Sequence, residues 1–327
     1  MIGRIALAVA LVAGVPAALE AQYYFGQNKV QYRTFDFQVL RTEHFDIHFY
    51  PETRQAALDA GRLAERSYLR LSRILRHEYR ERKPIILYAS HSDFQQTNAL
   101  GGEGPSEGTG GVTDFFKQRI IMPFTGSYDE LEHVLQHEMV HQFQYDIWSR
   151  GRAGAGLATL INVNPPLWFV EGMAEYLSIG GLDPNTTMWL RDAAIEGKIP
   201  TIAQLENDYR IFPYRYGQAL VAFIGQRWGD EAIGAIMQGT LAGGGGLEGS
   251  IRRVLGVDYK QLSDLWKDHI NRTFLPEVTS RQRAGDIARP MLTEARSQGT
   301  LHLAPALSPD GKEVAYFSEK DFYFVDL

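Results

Sequence analysis

The sequence has no cysteine among its 327 residues. This absence excludes disulfide bridges, thiolate metal sites and a cysteine nucleophile. It does not exclude an oxidising compartment, because a chain of this size can bury a large core that needs no crosslinks. A strong excess of one charge is also missing, since the net charge is −6 and the basic residues are scattered. That argues against nucleic acid as a partner.

Long apolar stretches are scarce as well, and the one at the N-terminus is short. In MIGRIALAVALVAGVPAALEAQ, a single arginine precedes an apolar run over Ile5–Val15, and small residues follow up to Ala21. This layout predicts a secretory signal peptide over residues 1–21, cut after Ala21. An uncleaved membrane anchor is the alternative, although a span needs about 20 apolar residues. With either outcome we expect an exported protein, periplasmic or secreted, and if the signal is removed no membrane span remains.

Hydrophobic residues make up 44% of the chain, which suits a globular protein. Alternating apolar and polar residues predict strands over 35–40 and 44–50. A short apolar run predicts a buried strand over 83–90, and residues 112–124 are predicted as a strand or a hairpin. Helical spacing predicts helices over 54–79, 92–99 and 128–147, and an almost wholly helical region over 166–266. The predicted fold class is therefore α+β, with a small N-terminal mixed sheet and helices packed on a mostly helical core.

The C-terminal part of the chain changes character. Residues 276–297 are polar and have no clear period, which predicts a linker. Residues 298–327 contain a Pro-Asp-Gly turn and two strand patterns, over 313–317 and 322–325. We therefore predict a main domain over 22–275 and an incomplete all-β unit at the end of the chain.

The segment LQHEMVHQF carries the most specific pattern in the sequence. Ser127 and Glu130 form the S-x-x-E pattern of a capping box, so HEMVH falls in the middle of a helix. His137 and His141 then lie one turn apart on one face, where both can bind one metal ion at about 2.0–2.1 Å. Glu138 lies roughly 100° around the helix. It is near the open position of the ion, where a carboxylate can act as general base.

A third ligand has to come from another element. His133 lies on the same face, but a rise of eight residues is about 12 Å, so one ion cannot bind all three histidines. The apolar segment PPLWFVEGMAEYLS carries Glu171 and Glu175 one turn apart. A carboxylate in so apolar a stretch is costly to bury unless it is paired or binds metal. This favours Glu171 as the ligand and Glu175 as the hydrogen-bond partner of a histidine ligand; the alternative is that both glutamates are exposed.

Residues 100–111, LGGEGPSEGTGG, are rich in glycine. They lack the G-x-x-x-x-G-K-[ST] pattern and its strand-to-helix context, so a phosphate cradle is not predicted. We interpret this segment as a loop that forms a mobile lip beside an active site.

HEMVH followed by WFVEGMAEY resembles the gluzincin zinc metallopeptidases of the MA clan. The resemblance implies that zinc is the cofactor, that His137, His141 and Glu171 are its ligands, and that Glu138 is the general base. The segment between the two motifs, residues 142–170, is longer than in the aminopeptidase branch of that clan. This difference implies an insertion near the site, in the segment RAGAGLATLINVN.

PYRYGQALVAFIGQRW resembles the Y-x-x-G helix of gluzincin aminopeptidases. The resemblance implies that Tyr214 stabilises the oxyanion of the reaction, with Tyr216 as the alternative. In those aminopeptidases, the strand before the zinc-binding helix carries a G-A-M-E-N type element that binds the free amine of the substrate. The corresponding strand region here, GVTDFFKQRIIMPF, lacks that element. Asp114 is the only acid in that region. We therefore expect an endopeptidase.

The segment FGQNKVQYRTFDFQVLRTEHFDIHFYPE is similar to exported bacterial proteins that join a gluzincin-like domain to a TolB-type β-propeller. APALSPDGKEVAYFS resembles the repeat of that propeller. The implied fold is a zinc-peptidase core followed by an incomplete propeller blade. Because a propeller needs several blades, we expect that the natural chain continues past Leu327, or that the tail packs poorly or docks on the peptidase domain.

The expected function is zinc-dependent hydrolysis of a peptide or protein substrate by a metal-activated water, with a protein partner for the propeller. The alternative is a catalytically silent peptidase-fold scaffold or binding module that works with the propeller. A metal hydrolase acting on something other than peptides is a third hypothesis.

Overall fold

The structure is a computed structural model. It describes residues 31–100, 104–149, 164–181, 183–208, 210–241, 244–278, 281–282, 284–293 and 302–318. The predicted signal peptide, nearly all of the predicted insertion and the predicted strand over 322–325 lie outside these residues. The chain divides into two compact units, Met1–Arg272 and Thr273–Leu327. Among the described helices, none combines the length and the apolar character that crossing a bilayer requires.

Within its described residues, the first unit holds a five-stranded sheet with the order β1-β2-β3-β5-β4. Its strands are β1 (Gln38–Arg41), β2 (Phe45–Phe49), β3 (Lys83–Tyr88), β4 (Val112–Asp114) and β5 (Arg119–Pro123). β2, β3 and β5 are parallel, and β1 and β4 are antiparallel edge strands. The prediction of a small mixed sheet is confirmed, and residues 112–124 form a hairpin rather than one strand.

Helices make up most of the remainder of this unit. They are α1 (Arg54–Leu75), α2 (His91–Phe94), α3 (Tyr128–Ser149), α4 (Leu167–Ile179), α5 (Pro184–Ile195), α6 (Ile202–Asn207), α7 (Pro213–Trp228), α8 (Asp230–Gly239), α9 (Gly246–Leu255) and α10 (Tyr259–Val278), with a short 3-10 turn at Pro51–Thr53. Only the part of α10 up to Arg272 belongs to this unit. Three tryptophans, Trp148, Trp168 and Trp266, are among the largest fully buried side chains of the core. The predicted α+β class is confirmed.

Helix α1 ends earlier than its spacing predicts. The pattern extends to residue 79, but the helix stops at Leu75 because Arg76 adopts a left-handed conformation with φ 51°. The amides of Arg76 and His77 both donate to the carbonyl oxygen of Ser72. Paired bonds of this kind satisfy carbonyl groups at a helix end, so the residues that follow are free to pack elsewhere.

The segment after β3 also departs from its prediction, which was a strand to residue 90 and a helix over 92–99. Ser90 instead caps α2, and its hydroxyl accepts a hydrogen bond from the Asp93 amide at 3.2 Å. The short helix then gives way to a turn in which the Thr97 hydroxyl accepts from the Ala99 amide at 3.1 Å. Side chains that bond to nearby backbone in this way compete with continued helix.

Helices α4 and α7 touch backbone to backbone. A Cβ atom at Gly172 would collide with the backbone of Gly217, and one at Gly217 would collide with the carbonyl oxygen of Trp168. Only glycine at both positions permits this approach. The contact brings Glu171 on α4 beside Tyr214 on α7, so the glycines of the E-G and Y-x-x-G patterns have a packing role.

We expect Gly172→Ala to lower the free energy of unfolding by about 1–3 kcal/mol, because the added methyl group forces the two helices apart. Chemical denaturation of the metal-free protein measures the change. Gly181→Ala is the matched control, since a Cβ there would meet its nearest neighbour at 3.6 Å, an ordinary contact. Equal stability of the two variants would contradict the close approach.

A buried ionic network holds β3 and the β4–β5 hairpin against the end of α3. Asp146 accepts a hydrogen bond from Lys83 Nζ at 2.5 Å and pairs with His77 Nε2 at 2.5 Å. Lys83 also donates to the side-chain oxygen of Gln118 in the hairpin turn, and Gln118 Nε2 donates to Ser149 Oγ at 3.0 Å. Because a buried charge is costly without its partner, this network fixes the hairpin relative to α3.

The second unit contains α11 (Ala284–Ile287) and a two-stranded antiparallel sheet of β6 (His302–Leu307) and β7 (Val314–Ser318). In the Pro-Asp-Gly turn between the strands, the Gly311 amide donates to the Ser308 carbonyl oxygen. The predicted strand over 313–317 is confirmed with a shift of one residue. The predicted linker over 276–297 begins inside α10 and includes α11.

Candidate metal centre

Two histidines on α3 point to one place. Ser127 Oγ accepts a hydrogen bond from the Glu130 amide at 3.2 Å, so the helix begins where the capping pattern predicts. Further along, His137 and His141 share one face, and their Nε2 atoms lie 3.1 Å apart. Both side chains are shielded, with 13% and 9% of their surface exposed.

Helix α4 brings a carboxylate to the same place. Glu171 Oε2 lies 3.4 Å from His137 Nε2 and 3.4 Å from His141 Nε2. An ion bound tetrahedrally at about 2.0–2.1 Å separates its ligand atoms by about 3.3 Å. These three atoms, here called the ligand cluster, are therefore spaced like ligands of a single ion. Two imidazoles and a carboxylate suit zinc among other divalent metals.

Each histidine is oriented through its other ring nitrogen. His137 Nδ1 lies 3.2 Å from Glu175 Oε1, and His141 Nδ1 lies 2.9 Å from Gln144 Oε1. Gln144 is fully buried and donates to the carbonyl oxygen of Val170 on α4 at 2.9 Å. Partners of this kind hold a ligating imidazole in one orientation, so both Nε2 atoms stay turned toward Glu171.

Opposite charges dominate the electrostatics of the cluster. Burial raises the pKa of Glu171, but His137 and His141 outweigh it and lower the pKa to about 2. Burial lowers the pKa of His137, but Glu171 and Glu175 outweigh it and raise the pKa to about 10. The carboxylates thus stabilise a positive charge at this point, which a metal ion can supply as well as a proton.

A second group of potential ligands lies directly behind the first. His133, His137 and Glu175 also have nitrogen and oxygen atoms close enough to share an ion, and His133 Nε2 is 3.7 Å from Glu175 Oε1. Arg215 Nη1, however, lies 3.4 Å from Glu175 Oε2 and 3.2 Å from Asp183 Oδ2. A guanidinium at this distance opposes a second cation. His133 therefore lies one layer outside the ligand cluster, as the helical rise predicts.

Glu138 lies beside the cluster and is nearly buried, with 6% of its surface exposed. Thr113 Oγ1, from strand β4, lies 2.6 Å from Glu138 Oε2 and 2.9 Å from its backbone oxygen. The carboxylate of Glu138 and the ligand cluster line the same cavity. A molecule in that cavity can contact both at once.

Of the two tyrosines that the sequence offers on α7, Tyr214 faces the site. It lines the cavity, close enough to Glu171 for that carboxylate to act on its hydroxyl. Burial and the Glu171 carboxylate raise the pKa of Tyr214 to about 12, so the phenol keeps its proton at neutral pH. Tyr216, the alternative, packs edge-on against Trp189 with ring centroids 5.9 Å apart. The geometry therefore favours Tyr214 over Tyr216.

The cavity has a volume of about 660 Å³. Besides the ligand cluster, Glu138 and Tyr214, its lining includes residues 108–111 of the glycine-rich segment. These four residues thus border the candidate metal centre, where the sequence predicts a lip. Residues 101–103 of the segment lie outside the described residues.

Some residues of this site were missed by the sequence-based prediction. Gln144 and Tyr145 follow His141 by three and four positions, so helical periodicity alone places them on its face. The Tyr145 ring lies nearly parallel to that of His141, with centroids 6.3 Å apart. Thr113 and Arg215 lie on other elements, and no local pattern marks them.

No protein-family model matches the sequence, and no curated protein matches it. A functional assignment therefore depends on the sequence motifs and on the geometry of the ligand cluster.

Proposed function

We propose that the first unit is a zinc-dependent metallopeptidase of the gluzincin type, in which His137, His141 and Glu171 hold the ion. One observation carries this proposal: the ligand atoms of two helices form a triangle with sides of 3.1, 3.4 and 3.4 Å. The order of the motifs supports it, because H-E-x-x-H is followed by a glutamate on the next helix and then by Y-x-x-G.

When bound, zinc supplies a Lewis acid that polarises the scissile carbonyl and activates a water molecule. Glu138 takes a proton from that water and delivers it to the leaving amine. Tyr214 donates a hydrogen bond to the carbonyl oxygen as negative charge develops there. Its pKa, raised by burial and by Glu171 to about 12, keeps the donated proton in place at neutral pH.

The surroundings of Asp114 support an endopeptidase. Its Oδ2 accepts a hydrogen bond from Arg119 Nη2 at 2.8 Å, and its Oδ1 accepts one from the Phe116 amide at 3.1 Å. These bonds tie the carboxylate to its own hairpin, and Asp114 is not among the described residues that line the cavity. β4 lies at the edge of the sheet, where an extended peptide can pair with it by strand addition.

Export and partner binding belong to the same proposal. Export depends on residues 1–21, whose layout is that of a signal peptide. The resemblance of APALSPDGKEVAYFS to a propeller repeat suggests that the second unit belongs to a partner-binding propeller. A blade has four strands, and the hairpin of β6 and β7 is compatible with part of one.

Metal analysis and peptide digestion test the function together. We expect about one zinc per chain and cleavage within the peptides of a mixed library, stopped by a chelator and restored by zinc. Mass spectrometry of the products locates each cleaved bond. Bound zinc without cleavage would favour the silent scaffold, and a folded protein that binds no zinc would contradict the proposal.

A further inference from the structure

The edge strand β4 reaches the candidate general base through one side chain. Thr113 is buried, with 8% of its surface exposed, and a hydroxyl has one proton to donate. Of its two contacts with Glu138, the one to carboxylate Oε2 is shorter, at 2.6 Å against 2.9 Å for the backbone oxygen. Hydrogen bonds to ionised acceptors are also the stronger kind. Oε2 of the base is therefore engaged, and Oε1 is left to act on water.

The strand comes this close because glycine precedes it. A Cβ atom at Gly111 would lie 2.8 Å from Val134 Cγ1 and 3.0 Å from Glu138 Cγ. One at Gly110 would lie 3.2 Å from Val134 Cγ2. The glycine-rich segment therefore ends in a direct contact with the side chain of the base, which any larger residue at position 111 would push away.

Strand β4 does not depend on the Thr113 hydroxyl for its place. Its ladder with β5 pairs Val112 with Ile121 and Asp114 with Arg119. The buried ionic network of Lys83 and Asp146 fixes the turn of the same hairpin through Gln118. Loss of the hydroxyl alone should therefore leave the strand where it is and free the carboxylate.

We propose that Thr113 is a positioning residue for peptide hydrolysis, whose hydroxyl holds the Glu138 carboxylate so that Oε1 accepts the proton of the attacking water. This inference rests on the proposed function and adds a residue from the edge strand to it. Because an extended substrate can pair with the same strand, one element aligns both the scissile bond and the base. Alignment of this kind is worth about a hundredfold per ångström of misplacement.

Thr113→Val and Thr113→Ser form a matched pair, since the first keeps the shape and the second keeps the hydroxyl. We expect Thr113→Val to lower kcat by about 10–100-fold, the value of one hydrogen bond to a charged group. KM and the zinc content should not change. Thr113→Ser should restore most of the lost turnover. Steady-state kinetics on one cleaved peptide, with metal analysis of each sample, measures all three quantities.

A double-mutant cycle on the metal-free protein provides a readout that does not depend on activity. Thr113→Val, Glu138→Ala and the combined variant are unfolded with denaturant. We expect the two substitutions to be coupled by at least about tenfold in the unfolding equilibrium constant, because each removes the same charge-assisted bond.

Three results would overturn the inference: wild-type kcat in Thr113→Val, equal losses in the valine and serine variants, or additive effects in the cycle. If KM rises beside that unchanged kcat, the residue serves binding and not the positioning of the base. If the zinc-loaded wild-type protein hydrolyses no peptide, the proposed function fails and the catalytic role of Thr113 fails with it. Coupling in the metal-free cycle would still show whether the bond itself exists.

Discussion

Glu138→Gln is expected to abolish peptide hydrolysis while zinc remains bound. Glutamine has nearly the shape of glutamate and can still accept the hydrogen bond from Thr113, but it cannot take a proton from water at neutral pH. The three ligand atoms belong to other residues, His137, His141 and Glu171. General acid–base catalysis contributes typically about 10²–10⁴-fold, so kcat should fall by at least that range.

The control for this substitution is Glu132→Gln, which makes the same chemical change on an exposed position of the same helix. It should hydrolyse peptides at the wild-type rate. Zinc content measured on both variants separates loss of the base from loss of the metal. A Glu138→Gln protein that cleaves at the wild-type rate would contradict the role of the base, and one that lacks zinc would place Glu138 among the ligands.

Local sequence was sufficient to predict the half of the candidate site that lies on α3. The helix, its N-terminal cap and the shared face of His137 and His141 follow from capping chemistry and a period of 3.6 residues. The role of Glu171 as a third ligand was inferred from the cost of burying a carboxylate in an apolar helix. What spacing could not provide is the distance between α3 and α4, because that depends on packing. The close contact of α4 with α7 through Gly172 and Gly217 is part of that packing.

The rest of the site involves residues that are distant in sequence. Thr113 and Glu138 are separated by 25 positions, and Arg215 and Glu175 by 40. No periodicity joins such pairs, and each becomes visible only when two elements are placed against each other. The error in the predicted end of α1 has a different origin. The helix stops before residue 79 because Arg76 adopts a left-handed conformation, and arginine is not a residue type from which that conformation is predicted.

The glycine-rich segment shows how composition can predict a loop and leave its role open. Glycine at 110 and 111 is explained by steric contact with Val134 and Glu138. This contact is a property of the folded chain. The glycine-rich sequence by itself is equally compatible with a mobile lip or with a close approach of the backbone to a neighbouring helix. The structure favours the tight approach for positions 110 and 111, where the chain enters β4.

Glu171→Gln is expected to weaken zinc binding more than a substitution of Glu175, which contacts His137 and not the proposed ion position. The amide oxygen of glutamine is neutral, so the ion loses the negative charge of a ligand that stays ionised in the metal-free protein, where His137 and His141 lower its pKa to about 2. Loss of an outer partner costs typically about 10–100-fold in metal affinity, and loss of a direct ligand should exceed that range. Titration of the metal-free protein with zinc against a competing chelator measures the dissociation constants.

Glu175→Gln is the matched comparison, because it makes the same change one helical turn away, on a carboxylate that contacts His137 Nδ1 at 3.2 Å. It should lower zinc affinity by about 10–100-fold and leave kcat of the zinc-saturated protein close to that of the wild type. The order of the two effects is the decisive result. If Glu175→Gln costs more affinity than Glu171→Gln, the ligand is Glu175 and the ion lies on the other side of His137. Equal and negligible effects would mean that neither carboxylate binds the metal, and the proposed peptidase would lose its third ligand.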